Sequence, residues 1–154
     1  MKTNENITLY VLRLAGTLLA ICIVVAANTI YHISAKSTPA EISPFASLTI
    51  SYVLAAIVSL VCFFCTGTQK NILLEIQKAN WATIVLAASI VFLEFGYICV
   101  YRSGWKVSVA SLVANITVAC ILLFAGILLY KEAITLRQMA GVLVCIAGLI
   151  LIGK

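Results

Sequence analysis

Glu94, Tyr97 and Tyr101 follow one another at i, i+3 and i+7, so a carboxyl group and two phenols share one face of a helix. Glu94 is the only carboxylate within an apolar run of the chain. At about 1.5 Å per residue it lies about 20 Å from the Trp81 end, inside a hydrocarbon slab about 30 Å thick. A carboxyl group at that depth is costly unless it is protonated, paired or hydrated, which makes it a functional-site candidate by default. Two kinds of chemistry fit. Glu94 could exchange a proton for a cationic substrate, or it could be held by a phenol or by Arg102, about 12 Å further along, as a purely structural bond.

Two other polar stripes could meet this face. Asn28 and His32 are four residues apart, with Lys36 one turn on, and Ser108, Ser111 and Asn115 recur at helical spacing. Together they predict a cavity lined by Asn28 and His32, Glu94 and Tyr97, and Ser111 and Asn115. The alternative for Asn28 and His32 is a hydrogen bond to a neighbouring helix or backbone. Gly141, Cys145 and Gly148 form a stripe of small residues, which lets two backbones approach and predicts a helix-pairing face, within the bundle or between chains. Glu132, beside Lys131, is expected to be a structural cap near the start of the next helix, where the dipole favours negative charge.

An enzyme is a poor fit. There is one His, no Asp, and no second carboxylate within an apolar run to complete an acid–base pair or a metal site. No metal or cofactor is expected. Cys62 and Cys65 make a C-x-x-C spacing, but neither a βαβ pattern nor a His pair accompanies it, and all six cysteines fall in apolar runs, where a thiol packs as a small apolar residue.

The elements that must position these residues are membrane helices. With 154 residues, 64% hydrophobic and 10% charged, the chain is far more apolar than a soluble domain, and its mean hydropathy is +1.17. Five spans are expected, at about 14–33, 45–65, 81–101, 107–130 and 136–153, as one all-α membrane domain with a five-helix bundle. The first is twenty residues without a formal charge, the length of a span rather than of a signal core, so it is expected to be retained. Ser37, Thr38 and Pro39 break the chain after it, and Pro44 can open the next helix. The second span carries no charge and looks like scaffold, its Ser47, Thr49, Ser51 and Ser59 able to bond back to their own helix. The interval 66–80 mixes Ile72, Leu73, Leu74 and Ile76 with Lys70, Glu75 and Lys78, which predicts a short amphipathic turn on the membrane surface ahead of Trp81. Ser103-Gly104 is a tight turn. Asn6 and Asn115 head glycosylation sequons; the depth of Asn115 in a span excludes it, and Asn6 matters only in a secretory pathway.

The net charge of +5 sits at span ends, where headgroups and the insertion machinery act on it, and does not point to nucleic acid. Five spans put the termini on opposite sides. One side carries Lys2, Arg13, Lys70, Lys78, Lys131 and Arg137, the other Lys36, Arg102, Lys106 and Lys154. Six against four favours a cytoplasmic N-terminus, and so small a bias leaves insertion in both orientations open.

The tail carries a family likeness. Glu132 closing the fourth span, Thr135 and Gln138 in the short turn, and Gly141 and Gly148 seven apart resemble the drug/metabolite transporter superfamily, and the five spans look like a single EamA-type half. The last helix is also similar to the dimerising fourth helix of the small multidrug resistance proteins. Those proteins carry their essential carboxylate in the first helix, where this chain has Asn28 and His32, so Glu94 is not carried over from them. The resemblance implies transport of a small metabolite, amino acid-like compound or amphipathic cation across a cell membrane, here expected to be a bacterial inner membrane. Many members contain two inverted halves, so this length implies a homodimer or a heterodimer with a similar half, with a site between repeats that opens alternately to each side. The other reading is an accessory or assembly subunit that does not itself transport.

Overall fold

The structure, a computed structural model, describes residues 2–66, 71–131, 133 and 135–152, with backbone only for 2–9 and 152. Among the described residues six helices follow in order: α1 Lys2–Lys36, α2 Pro44–Thr66, α3 Ile72–Ile76, α4 Trp81–Arg102, α5 Val107–Tyr130 and α6 Leu136–Ile152. No strand occurs among the described residues. The all-α membrane fold expected from the apolar runs is therefore the fold observed, with two refinements. The first helix is longer than the expected 14–33, its membrane-competent part being Tyr10–Lys36, because nothing before Lys36 stops it. The last has only 17 residues, about 26 Å at the helical rise. Among the described residues four helices are long and apolar enough to cross a bilayer, and α6 is a shorter apolar helix.

Local chemistry sets the ends. α2 opens on Pro44, whose missing N–H costs nothing in a first turn. The Asn80 side chain accepts from the Ala82 N–H at 3.0 Å and caps α4. Gly104, at φ +94, turns the chain out of α4 while its N–H bonds the Tyr101 carbonyl at 3.1 Å. α5 ends on Lys131 in the left-handed region at φ 53, its N–H donating to Gly126. Between spans, the expected surface turn is α3, capped by Asn71, with Glu75 of the helix paired to Lys78 just beyond it at 2.6 Å. Within spans, hydroxyls bond back one turn, as Thr49 does to the Phe45 carbonyl at 2.8 Å and Thr117 to Val113 at 2.8 Å.

Contacts group the chain into two units, Met1–Ser37 and Thr38–Lys154. The first is α1 alone, in which the Tyr31 ring meets the His32 ring edge-on at 5.0 Å. In the second, α2 packs on α4, α4 on α5 and α5 on α6. Leu48, Ile98, Tyr101 and Ala110 are the buried apolar side chains among the described residues. Residues such as Leu128 and Leu151, 78% and 79% exposed, instead present their apolar area outward. A protein that packs so little of its apolar surface needs lipid or a partner to cover it.

Candidate functional site

The α2–α4 contact is pinned at one end of both helices. Phe45, the second residue of α2, stacks on Phe95 with centroids 4.7 Å apart and planes 7° from parallel. Beyond it the Arg102 guanidinium donates to the carbonyls of Pro39 and Ile42 at 2.9 and 2.7 Å, tying the link before α2 to the end of α4. Arg102 is thereby engaged with backbone on the far side of Phe95.

That register carries Tyr52 to Glu94. Tyr52 lies seven residues after Phe45, two turns along the same face of α2. Its hydroxyl is close enough to the Glu94 carboxyl for the two to interact electrostatically. The hydroxyl is shut off from solvent and makes no hydrogen bond of good geometry to any described residue. Glu94 itself is half-buried. Tyr52 is the residue that the sequence reading misses: that reading counts only Ser47, Thr49, Ser51 and Ser59 as polar groups of this span, although the place of Tyr52 two turns from Phe45 is visible in the sequence.

Tyr97 and Tyr101 stack on each other at 5.9 Å, as their spacing predicts. Tyr101 is buried, whereas Tyr97 looks toward α5 and borders a hollow of about 260 Å3, with Val100, Trp105, Ala110, Val113 and Ala114. A neighbouring hollow of about 270 Å3 shares Tyr97, Val100 and Ala114. Small residues on α5 leave this space, and its walls are apolar apart from the phenol and the indole. α4 thus divides its polar face, Glu94 toward α2 and Tyr97 toward α5.

The other candidates are placed as follows. Ser111 is half-buried, and its hydroxyl donates to its own helix at the Val107 carbonyl, 2.7 Å away; Asn115 is exposed one turn on. Asn28 and His32 sit one turn apart on α1, in the other unit. No three His, Cys, Asp or Glu side chains come together as a metal site among the described residues. Glu132, the expected cap, lies outside the described residues.

A model of the EamA-like transporter family matches residues 14–154. The chain belongs to the EamA-like transporter family. No curated protein and no solved structure matches it. As an EamA-like transporter of the drug/metabolite superfamily, it is a multi-pass membrane protein, and the family implies a small-molecule substrate.

Two of the residues that carry the likeness have a structural role in this EamA-like chain. Thr135 and Gln138 form a reciprocal cap at the start of α6: the Gln138 side-chain oxygen accepts from the Thr135 N–H at 2.8 Å, and the Thr135 hydroxyl oxygen accepts from the Gln138 N–H at 3.3 Å. The T-x-x-Q spacing was the available signal. Met139, Val142, Leu143 and Ile146 of α6 face α5 across an apolar hollow of about 290 Å3. Gly141, Cys145 and Gly148 are on the opposite side of the helix at 100° per residue, and a Cβ built on either glycine meets nothing within 4 Å.

Proposed function

We propose that this chain is a secondary transporter that works as a dimer, moving a small metabolite or amphipathic cation, with Glu94 at the substrate or proton site and Tyr97 beside it. The observation that carries the reading is Glu94 itself: a carboxyl half-buried within a membrane-length helix, in a family of transporters, with a phenol on the facing helix and an aromatic-walled hollow one turn away. A carboxylate there can neutralise a cation or carry a proton, and the indole and phenol faces attract organic cations. The dimer is supported by α6, whose small-residue stripe points away from α5 with open space above both glycines. A cytoplasmic N-terminus in a bacterial inner membrane completes the proposal.

Two measurements test it. Proteoliposomes containing the protein should move tetraphenylphosphonium in response to a pH gradient, and Glu94→Gln should abolish the response; unchanged flux that still follows the gradient in Glu94→Gln would refute the role of Glu94. Reporters fused to the C-terminus should place it outside the cytoplasm, in part or in whole, and signal from both sides would establish dual insertion. A C-terminus found only in the cytoplasm would sink the proposed orientation.

A further inference from the structure

We infer that Tyr52 is the positioning residue for Glu94: its phenolic O–H reaches across from α2, holds the carboxyl group in place, and must yield when a cation or proton takes up that carboxyl. The inference deepens the transport reading and rests on it for its functional consequence.

Two observations and the chemistry of the two groups support it. The approach of α2 to α4 is fixed from outside the pair, by the Phe45–Phe95 stack and by the two Arg102 bonds to the Pro39 and Ile42 carbonyls, so Tyr52 is delivered to Glu94 by the fold rather than by mutual attraction. The Tyr52 hydroxyl is out of solvent and has no well-formed hydrogen bond to any described residue, a costly condition for a phenol, and the neighbouring carboxyl is the acceptor that would relieve it. The chemistry is complementary, since an ionised carboxyl only accepts while a phenol can donate, and a charged acceptor strengthens the bond. Arg102, the cation nearest along α4, is already bound to the link before α2, so it does not replace Tyr52. The consequence is a competition. A bound cation draws the carboxylate toward itself, and a proton turns the acceptor into a weaker one; either releases Tyr52 and with it a cross-link between two helices.

The test is infrared spectroscopy of the full chain in lipid bilayers, with glutamate isotope-labelled and the Glu94 band assigned by its disappearance in Glu94→Gln. In Tyr52→Phe, which removes one oxygen and keeps the ring, the Glu94 band should shift in the direction that marks loss of a hydrogen bond. An unshifted band in folded Tyr52→Phe overturns the inference. Should that variant yield too little protein, the reciprocal measurement decides: the phenol C–O band of labelled tyrosine moves in Glu94→Gln if the pair exists and stays put if it does not. Flux is read separately. Tetraphenylphosphonium uptake no faster than in empty vesicles would defeat the transport reading, while the band comparison would still decide the role of Tyr52. Where uptake occurs, Tyr52→Phe should lower it by about tenfold, roughly the factor one hydrogen bond is worth.

Discussion

The Arg102 tether gives a consequence that can be worked from the geometry. One terminal nitrogen of its guanidinium donates to two carbonyls, those of Pro39 and Ile42, at 2.9 and 2.7 Å. Bonds from a charged donor contribute roughly 1.5–3 kcal/mol each where water is excluded. Arg102 is exposed, so water re-solvates both carbonyls once the donor is gone and the freed side chain regains rotamer entropy. About half of the low-end sum, or about 1–2 kcal/mol, should remain as the net contribution of the tether. The loss should be local, since the bonds fasten a short link rather than a helix, and hydrogen exchange is the suitable assay. In Arg102→Gln the link amides before α2 should exchange about tenfold faster, with α5 and α6 unchanged. Arg102→Lys separates this role from charge. It keeps the cation that counts toward insertion but lacks the planar fork, so orientation should be preserved while most of the loosening persists. If link exchange is the same in wild type and in Arg102→Gln, the two bonds hold nothing and the register assigned to Tyr52 loses one of its two supports.

The remaining predictions concern the turns. Gly104→Ala should destabilise the protein by about 1 kcal/mol in a denaturation series in bicelles, through backbone strain alone: φ is +94, and an added Cβ meets nothing within 4 Å. Lys131→Gly should have the opposite sign, a gain of up to about 1 kcal/mol, because Lys131 occupies the left-handed region at φ 53. Thr135→Ala and Gln138→Ala should each cost about 0.5–2 kcal/mol, and the double variant less than their sum, since each partner of a reciprocal cap depends on the other.

What could be read from the sequence, and what could not, divides along a physical line. Lipid accepts few structures, so helix position is nearly forced by composition: the second to fourth spans expected at 45–65, 81–101 and 107–130 differ from α2, α4 and α5 by a residue at most at either end. Punctuation was legible for the same local reason. Pro44 opens a helix and Gly104 closes one, because each acts on its own backbone. Which helices touch is another matter. In water the apolar stripe of a helix points to the core, but in lipid every face of α2 is equally at home, and periodicity does not say which one meets α4. The bonds that decide it join Arg102 to Pro39 and Ile42 across 63 and 60 residues, beyond any pattern of turns. Tyr52 was missed by the same logic: on an apolar helix a phenol reads as a ring until a partner gives its oxygen a purpose. Polar stripes do remain legible within one helix, which is why Glu94, Tyr97 and Tyr101 were found together. The structure then sends Glu94 and Tyr97 to different neighbours, because at 3.6 residues per turn a three-residue step rotates a side chain by about 60°. A single stripe therefore serves two helix contacts, and a cation passing from the Tyr97 hollow to Glu94 would have to turn α4 or cross its face. Gly96 borders the hollow of about 270 Å3 beside Tyr97, with open space above its Cα, so bulk there should fill the hollow and close that path first. Gly96→Leu should stop flux while leaving the Tyr52–Glu94 infrared signature intact; flux that survives such a side chain would mean that the hollow and the carboxyl do not belong to one path.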